Sequence, residues 1–336
     1  MAESYISELL PKEYIKRHEL LCYYNDLIVD MLYKADKHHL SSVSIELKDE
    51  NDLPKDEEEM LGWMFQHGYA KEGYRIAKAH IFFSLLRDFI LYMHESFNCS
   101  ERGKVTVAFT ISRKPMKDDL FYLCWLLANS EELIDCLLNK DISTYDVTKL
   151  SELKKRDILN KACRLVNKKE YEDVLYDLIY KRNCDYGLSS VWDQSIHLVT
   201  ENKHYQTTKG NLNFVFATND IWNDYWELYY EKLPYIMNIV IEVATQIFEE
   251  ILKPHEVFIT LNKTIRDMKF LLTYDDDLDV SVYQDLFQLI HIECNKCGKT
   301  YDLKDSVLGE FISEYLYTCP YCGAVERVGE YHYTEI

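Results

Sequence analysis

Glycine and proline are scarce in this chain, ten and six among 336 residues. An all-β architecture with many tight turns needs both at its corners, so their shortage turns the reading toward long helices. Long apolar runs are missing as well. The most apolar stretches, 79–93 and 234–248, are interrupted by Arg87 and Asp88 in the first and Glu242 in the second. Both fall short of the span of about 20 residues that a membrane-crossing helix requires. The opening MAESYISELLPKEY has no basic stretch leading into an apolar one, so no secretory signal is expected and the chain reads as soluble and cytoplasmic.

Positive charge is also in deficit. The 38 Lys and Arg against 57 Asp and Glu leave a net charge of −19. Such a chain repels polyanions at long range, which counts against broad, non-specific nucleic-acid binding. Two local exceptions stand out. Residues 149–182 hold ten Lys/Arg against six Asp/Glu, and a shorter basic stretch holds Arg102, Lys104, Arg113, Lys114 and Lys117. Each reads first as a solvated helix face.

Several chemistries are excluded by missing motifs. There is no phosphate-binding glycine-rich loop, no dinucleotide fingerprint and no HExxH pair. Asp275, Asp277 and Asp279 imitate the start of a calcium loop, but Val280 stands where that loop needs glycine and Leu286 where it needs glutamate. Ser151 and Lys154 have penicillin-recognising spacing without the companion motifs. His38 and His39, near Asp36, read as a surface turn.

What is present is mainly helical patterning. Helices are expected over 12–37, 71–97, 104–128 (with a kink or a fresh start at Pro115), from Ser130, and over 148–166, 168–182 and 221–252. An acidic loop is expected at 46–59. Alternating residues near 195–216 suggest a short hairpin, and 256–290 fits strand or helix equally. Six cysteines (Cys22, Cys99, Cys124, Cys136, Cys163 and Cys184) are scattered without framework spacing, as expected of reduced thiols.

The other four cysteines form a pattern. Cys294-Asn-Lys-Cys297-Gly and Cys319-Pro-Tyr-Cys322-Gly are two CxxCG turns with 21 residues between them. Two intervening residues let one tight turn aim both sulfurs at a single tetrahedral ion, and the following glycine suits the positive φ of such a knuckle. Four thiolates close the coordination sphere, which favours a structural zinc over a catalytic one. A redox dithiol pair would need a thioredoxin-like context not seen here, and an iron–sulfur site is the other use of such ligands. The segment resembles the zinc-ribbon class, and the resemblance implies a small β ribbon over 291–336 binding Zn2+. That segment carries eight Asp/Glu against four Lys/Arg, so protein contact suits it better than phosphate contact.

A second pattern lies on the 71–97 helix. At 100° per residue, His80, Ser84, Arg87, Asp88, His94 and Glu95 fall within about 120° of arc, and nearly everything else is apolar. Such a stripe is either the wet edge of a deeply packed helix or the lining of a cleft. Arg87-Asp88-x5-His94 resembles the arginine–polar–histidine pattern of the HEPN superfamily, helical ribonucleases common in bacterial toxin and antiphage systems. The resemblance implies metal-independent RNA cleavage, with Arg87 stabilising phosphate charge, His94 assisting proton transfer and Asp88 orienting the arginine.

The expected architecture is therefore mainly α, a multi-helix body over 1–290 with a small C-terminal zinc ribbon over 291–336. The expected function is non-catalytic recognition or regulation through a protein partner or a second copy. The alternatives are the HEPN-like endoribonuclease, with RNA as substrate, and a thiol or zinc sensor.

Overall fold

The computed structural model describes residues 9–46, 60–201, 206–213, 219–275, 287, 290–303 and 305–333. The expected acidic loop and the Asp275–Asp279 stretch lie almost wholly outside these residues. The chain folds as a helical bundle ending in two small hairpins. Helix α1 (Ile15–Lys37) continues a 3-10 turn at Lys12–Tyr14. It is followed by α2 (Met60–Gln66) and α3 (Ala70–Glu101). Helix α3 buries Phe82, Phe83, Leu86, Phe89, Ile90, Met93 and Phe97 at helical spacing.

Helix α4 (Val105–Lys114) meets Pro115, which lacks the N–H that a regular ladder needs. The chain absorbs the defect in a π turn at Pro115–Asp119 before α5 (Leu120–Ala128). Helix α6 (Ser130–Asn139) starts where expected, with Asn129 as the capping side chain. Ser151 caps α7 (Glu152–Leu165) by accepting from the Lys154 amide, which accounts for the Ser151–Lys154 spacing.

One expectation needs correction. The helix foreseen over 168–182 is broken into a 3-10 turn at Lys169–Tyr171 and α8 (Val174–Ile179). The break is at Asp173, whose φ is +59°. Asn160 accepts from the Asp173 amide at 2.8 Å, and Asn160 and Arg156 both donate to its carboxylate, so side-chain hydrogen bonds outweigh the apolar stripe. The hairpin expected near 195–216 lies partly outside the described residues, which leave out 202–205 and 214–216. Residues 195 and 196 end α9 (Ser189–Ile196), and 197–201 close on 206–213 through Thr207 N–H to Thr200 O and Asn213 N–H to Leu198 O. Thr207 and Asn213 spend their side chains inside this loop, where a strand would need a regular backbone ladder.

The centre of the bundle is α10 (Asn219–Leu252), packed against α1, α3, α4, α5 and α7. Its fully buried stretch includes Tyr229, Tyr230, Ile236, Ile239, Val243, Ile247 and Phe248. Each such side chain contributes about 1.5–3 kcal/mol by leaving water. A buried polar network locks its upper half. Tyr229 shares a hydrogen bond with Ser96 at 2.6 Å, while Tyr230 meets Ser100 at 3.0 Å and His18 at 2.9 Å. Burial would lower the His18 pKa, but Cys22 and Glu101 overcome it and raise it to about 9.

The ambiguous 256–290 segment resolves in its first part as α11 (Glu256–Tyr274). Among the described residues no helix is long and apolar enough to cross a membrane. The C-terminal segment comprises β1 (His291–Glu293) paired antiparallel to β2 (Thr300–Asp302), α12 (Asp305–Ser313), and β3 (Leu316–Thr318) paired antiparallel to β4 (Val325–Arg327). Helix α12 fills the spacer between the cysteine pairs, and its Phe311 is fully buried against Phe287 and Tyr317.

Candidate metal centre

Each cysteine pair sits where one hairpin turns, and the two turns are built alike. Cys294 N–H donates to Lys299 O, and Cys319 N–H donates to Ala324 O. Gly298 N–H donates to Cys294 O at 2.8 Å, and Gly323 N–H to Cys319 O at 3.0 Å. Gly298 and Gly323 have φ of +65° and +68° with open space where a Cβ would stand, so it is the backbone angle that demands glycine.

The turns face each other and bring all four sulfurs within 4.8 Å of one another. Cys294 and Cys322 are 3.7 Å apart and Cys297 and Cys319 are 3.9 Å apart. A tetrahedral ion with metal–sulfur bonds of about 2.3 Å has sulfur–sulfur edges of about 3.8 Å. All four cysteines are free thiols, with Cys294 and Cys319 buried and Cys297 and Cys322 exposed.

The surroundings act differently on the two buried thiols. Burial works against ionising Cys319, yet the backbone N–H groups of Tyr321 and Cys322 donate to its sulfur and bring it down to about 7. The Lys296 and Cys297 amides do the same for Cys294. Burial outweighs them there, and with the thiol's 3.2 Å hydrogen bond to Glu326 it holds Cys294 up at about 12. A divalent cation is the species that would replace that proton. The four cysteines can therefore hold one metal ion.

The segment carrying the cysteines is bound tightly to the helices. Lys269 on α11 is buried and donates to the carbonyls of Phe311, Ile312 and Glu314 at 2.6, 2.7 and 2.5 Å. Burial pulls its pKa down to about 7, but three acceptors use all three N–H bonds of an ammonium, so the charged form fits the site. Arg327 reaches Asp26 of α1 at 2.6 Å, and Tyr331 donates its amide to Asp30 and its hydroxyl to Glu249 of α10. His38 contacts Tyr333, so the His38–His39 turn serves the docking of the tail.

The α3 stripe is largely exposed. His80, Ser84, Arg87, His94 and Glu95 are exposed and Asp88 is half-buried. Arg87 pairs with Asp36 of α1 at 3.7 Å, whereas Asp88 pairs with Lys114 of α4, so the two are drawn to opposite neighbours. His94 lies close enough to Asp26 of α1 to favour that carboxylate's charged form.

Comparison with known family models, curated proteins and solved structures finds no match to this chain.

Proposed function

We propose that this is a non-catalytic recognition or regulatory protein in which a zinc ion held by Cys294, Cys297, Cys319 and Cys322 fixes the 291–336 module onto a helical body. The observation that carries the reading is the convergence of four sulfurs with tetrahedral edges, a closed ligand set that leaves no position for substrate. The net charge of −4 over 291–336, from eight acidic and four basic residues, favours protein over phosphate as its partner.

We read exposed apolar side chains on α1 and α3 as its contact surface. Exposed Val29 and Tyr33 on α1 lie between Asp26 and Asp36, and exposed Leu91 on α3 lies between their neighbours His94 and Arg87. An apolar strip edged by charge is what a protein partner or a second copy covers.

Nothing in the geometry singles out the ribonuclease reading, since Arg87 is engaged by Asp36 and Asp88 by Lys114. The test joins metal analysis with activity. The purified chain should carry one zinc per molecule and turn over no RNA in chelator, and Tyr33→Glu with Leu91→Glu should reduce association with its partner or itself in sedimentation. Metal-free protein, or RNA cleavage abolished by Arg87→Ala, overturns the reading.

A further inference from the structure

The two basic stretches, separate in sequence, meet in space. The end of α4, the π turn, the entry to α7 and the end of α8 enclose a cleft of about 380 Å³. Its lining includes Arg113, Lys114, Lys117, Lys155 and Arg182, against a single carboxylate, Asp118. Five cations around one cleft is the reverse of the charge balance of a chain at −19.

Most of these cations are not ion-paired from within. Lys114 is spent on Asp88 and Asp119, and Arg113 reaches Asp193 only at 4.0 Å. The Arg113 Nε is sealed from solvent without a hydrogen-bond partner. Among the described residues Lys117, Lys155 and Arg182 have no carboxylate within ion-pair distance. Lys117 lies 5.3 Å from the Trp192 ring centroid and Lys155 lies 5.0 Å from that of Tyr180. Burial, together with Arg113 and Arg182, lowers the Lys117 pKa to about 8 against the pull of Asp193 and Asp118. Holding like charges together on apolar walls is unfavourable until an anion enters.

We propose that this cleft binds a small, multiply charged phosphate compound, an oligophosphate or phosphate ester, through Lys117, Lys155 and Arg182. The size of the cleft suits a small molecule. A nucleic-acid strand needs a long basic track, which a chain of net charge −19 suits poorly beyond this one cleft. The π turn at Pro115–Asp119 supports the site by bringing Lys117 into the cleft with Arg113 and Lys114. The proposal is independent of the metal centre.

Calorimetric titration of the full chain with inorganic triphosphate tests it. One equivalent should bind, more weakly as salt is raised, and Lys155→Gln with Arg182→Gln should weaken binding about tenfold or more. Both substitutions fall on side chains that reach solvent, and an unchanged melting temperature will show that the fold is kept. Lys296→Gln with Lys299→Gln, removing the same charge from the zinc module, should leave affinity unchanged. Adenosine triphosphate binding more tightly than triphosphate identifies a nucleotide, and equal affinity identifies the phosphates alone as the recognised group. Absence of triphosphate binding, binding indifferent to the 155/182 pair, or binding of a single-stranded RNA oligonucleotide in its place overturns the proposal.

Discussion

Asn262 and His332 are bonded to each other in both directions: the Asn262 amide donates to the His332 carbonyl at 2.7 Å, and the His332 amide donates to the Asn262 side-chain oxygen at 2.8 Å. One asparagine on α11 thus satisfies a residue of the tail much as a neighbouring strand would. The His332 ring is carried inward by the same contact, to 5.9 Å from Phe311, and its Nε2 is sealed from solvent without a partner.

That placement makes docking acid-sensitive. Burial, with help from Lys34, lowers the His332 pKa from 6.5 to about 4. An unfolded or undocked chain takes up this proton near 6.5, so the contribution is complete above 6.5 and is lost as pH falls toward 4. The loss amounts to at most about 3 kcal/mol. Unfolding measured between pH 7 and pH 4 should fall less steeply for His332→Leu than for the parent. Parallel profiles would show that the ring does not titrate as placed.

Metal removal should be visible at the thiols. Cys297 and Cys322 are exposed, so only coordination would shield them from alkylation, whereas Cys294 and Cys319 are also shielded by packing. Chelator should raise the alkylation rate of Cys297 and Cys322 by about tenfold or more, read by peptide mass, with the buried pair following more slowly. Equal rates with and without chelator would mean that no ion is held.

Glu242, the charge that interrupts the apolar 234–248 run, is matched by Arg266. The guanidinium meets both carboxylate oxygens, at 2.8 and 3.1 Å, with both side chains buried. Removing one partner strands the other, at a cost of about 3–5 kcal/mol. Arg266→Met and Glu242→Leu should each destabilise by that order in denaturant melts, and the double variant should cost less than either alone. A double variant worse than both singles would show that the pair is favourable in itself and not merely compensated.

The same pair explains where sequence reading stopped. The CxxCG turns were legible because metal geometry fixes spacing within each turn, and α3 because its apolar arc is wide. On α11, Arg266 and Lys269 share the buried face with Leu261, Ile265 and Met268, so the helical period is masked by charges whose partners lie far along the chain. Asp173 hid its break for a similar reason, since its partners sit on α7. The basic cleft was legible only as two unrelated stretches. Nothing local in 113–117 says that 155 and 182 fold against it.

The tail lies tight against the bundle at Gly329. A Cβ there would lie 2.5 Å from the Asp26 Cβ and 3.1 Å from the Tyr23 carbonyl, both fixed by α1. Neither is the loose end of a flexible side chain, so the tail itself would have to lift. Its neighbours are the contacts that dock it: Arg327 to Asp26, and Tyr331 to Asp30 and Glu249. Gly329→Ala should therefore cost about 1–3 kcal/mol, the range for overpacking a close contact. Hydrogen exchange should show the loss concentrated in 328–333 and the facing turns of α1. The metal should stay bound, because the cysteine turns precede the contact and are closed by their own hydrogen bonds. If instead any bound metal is lost together with tail protection, the ribbon and its docking surface are one cooperative unit, and the glycine is part of the metal site's support.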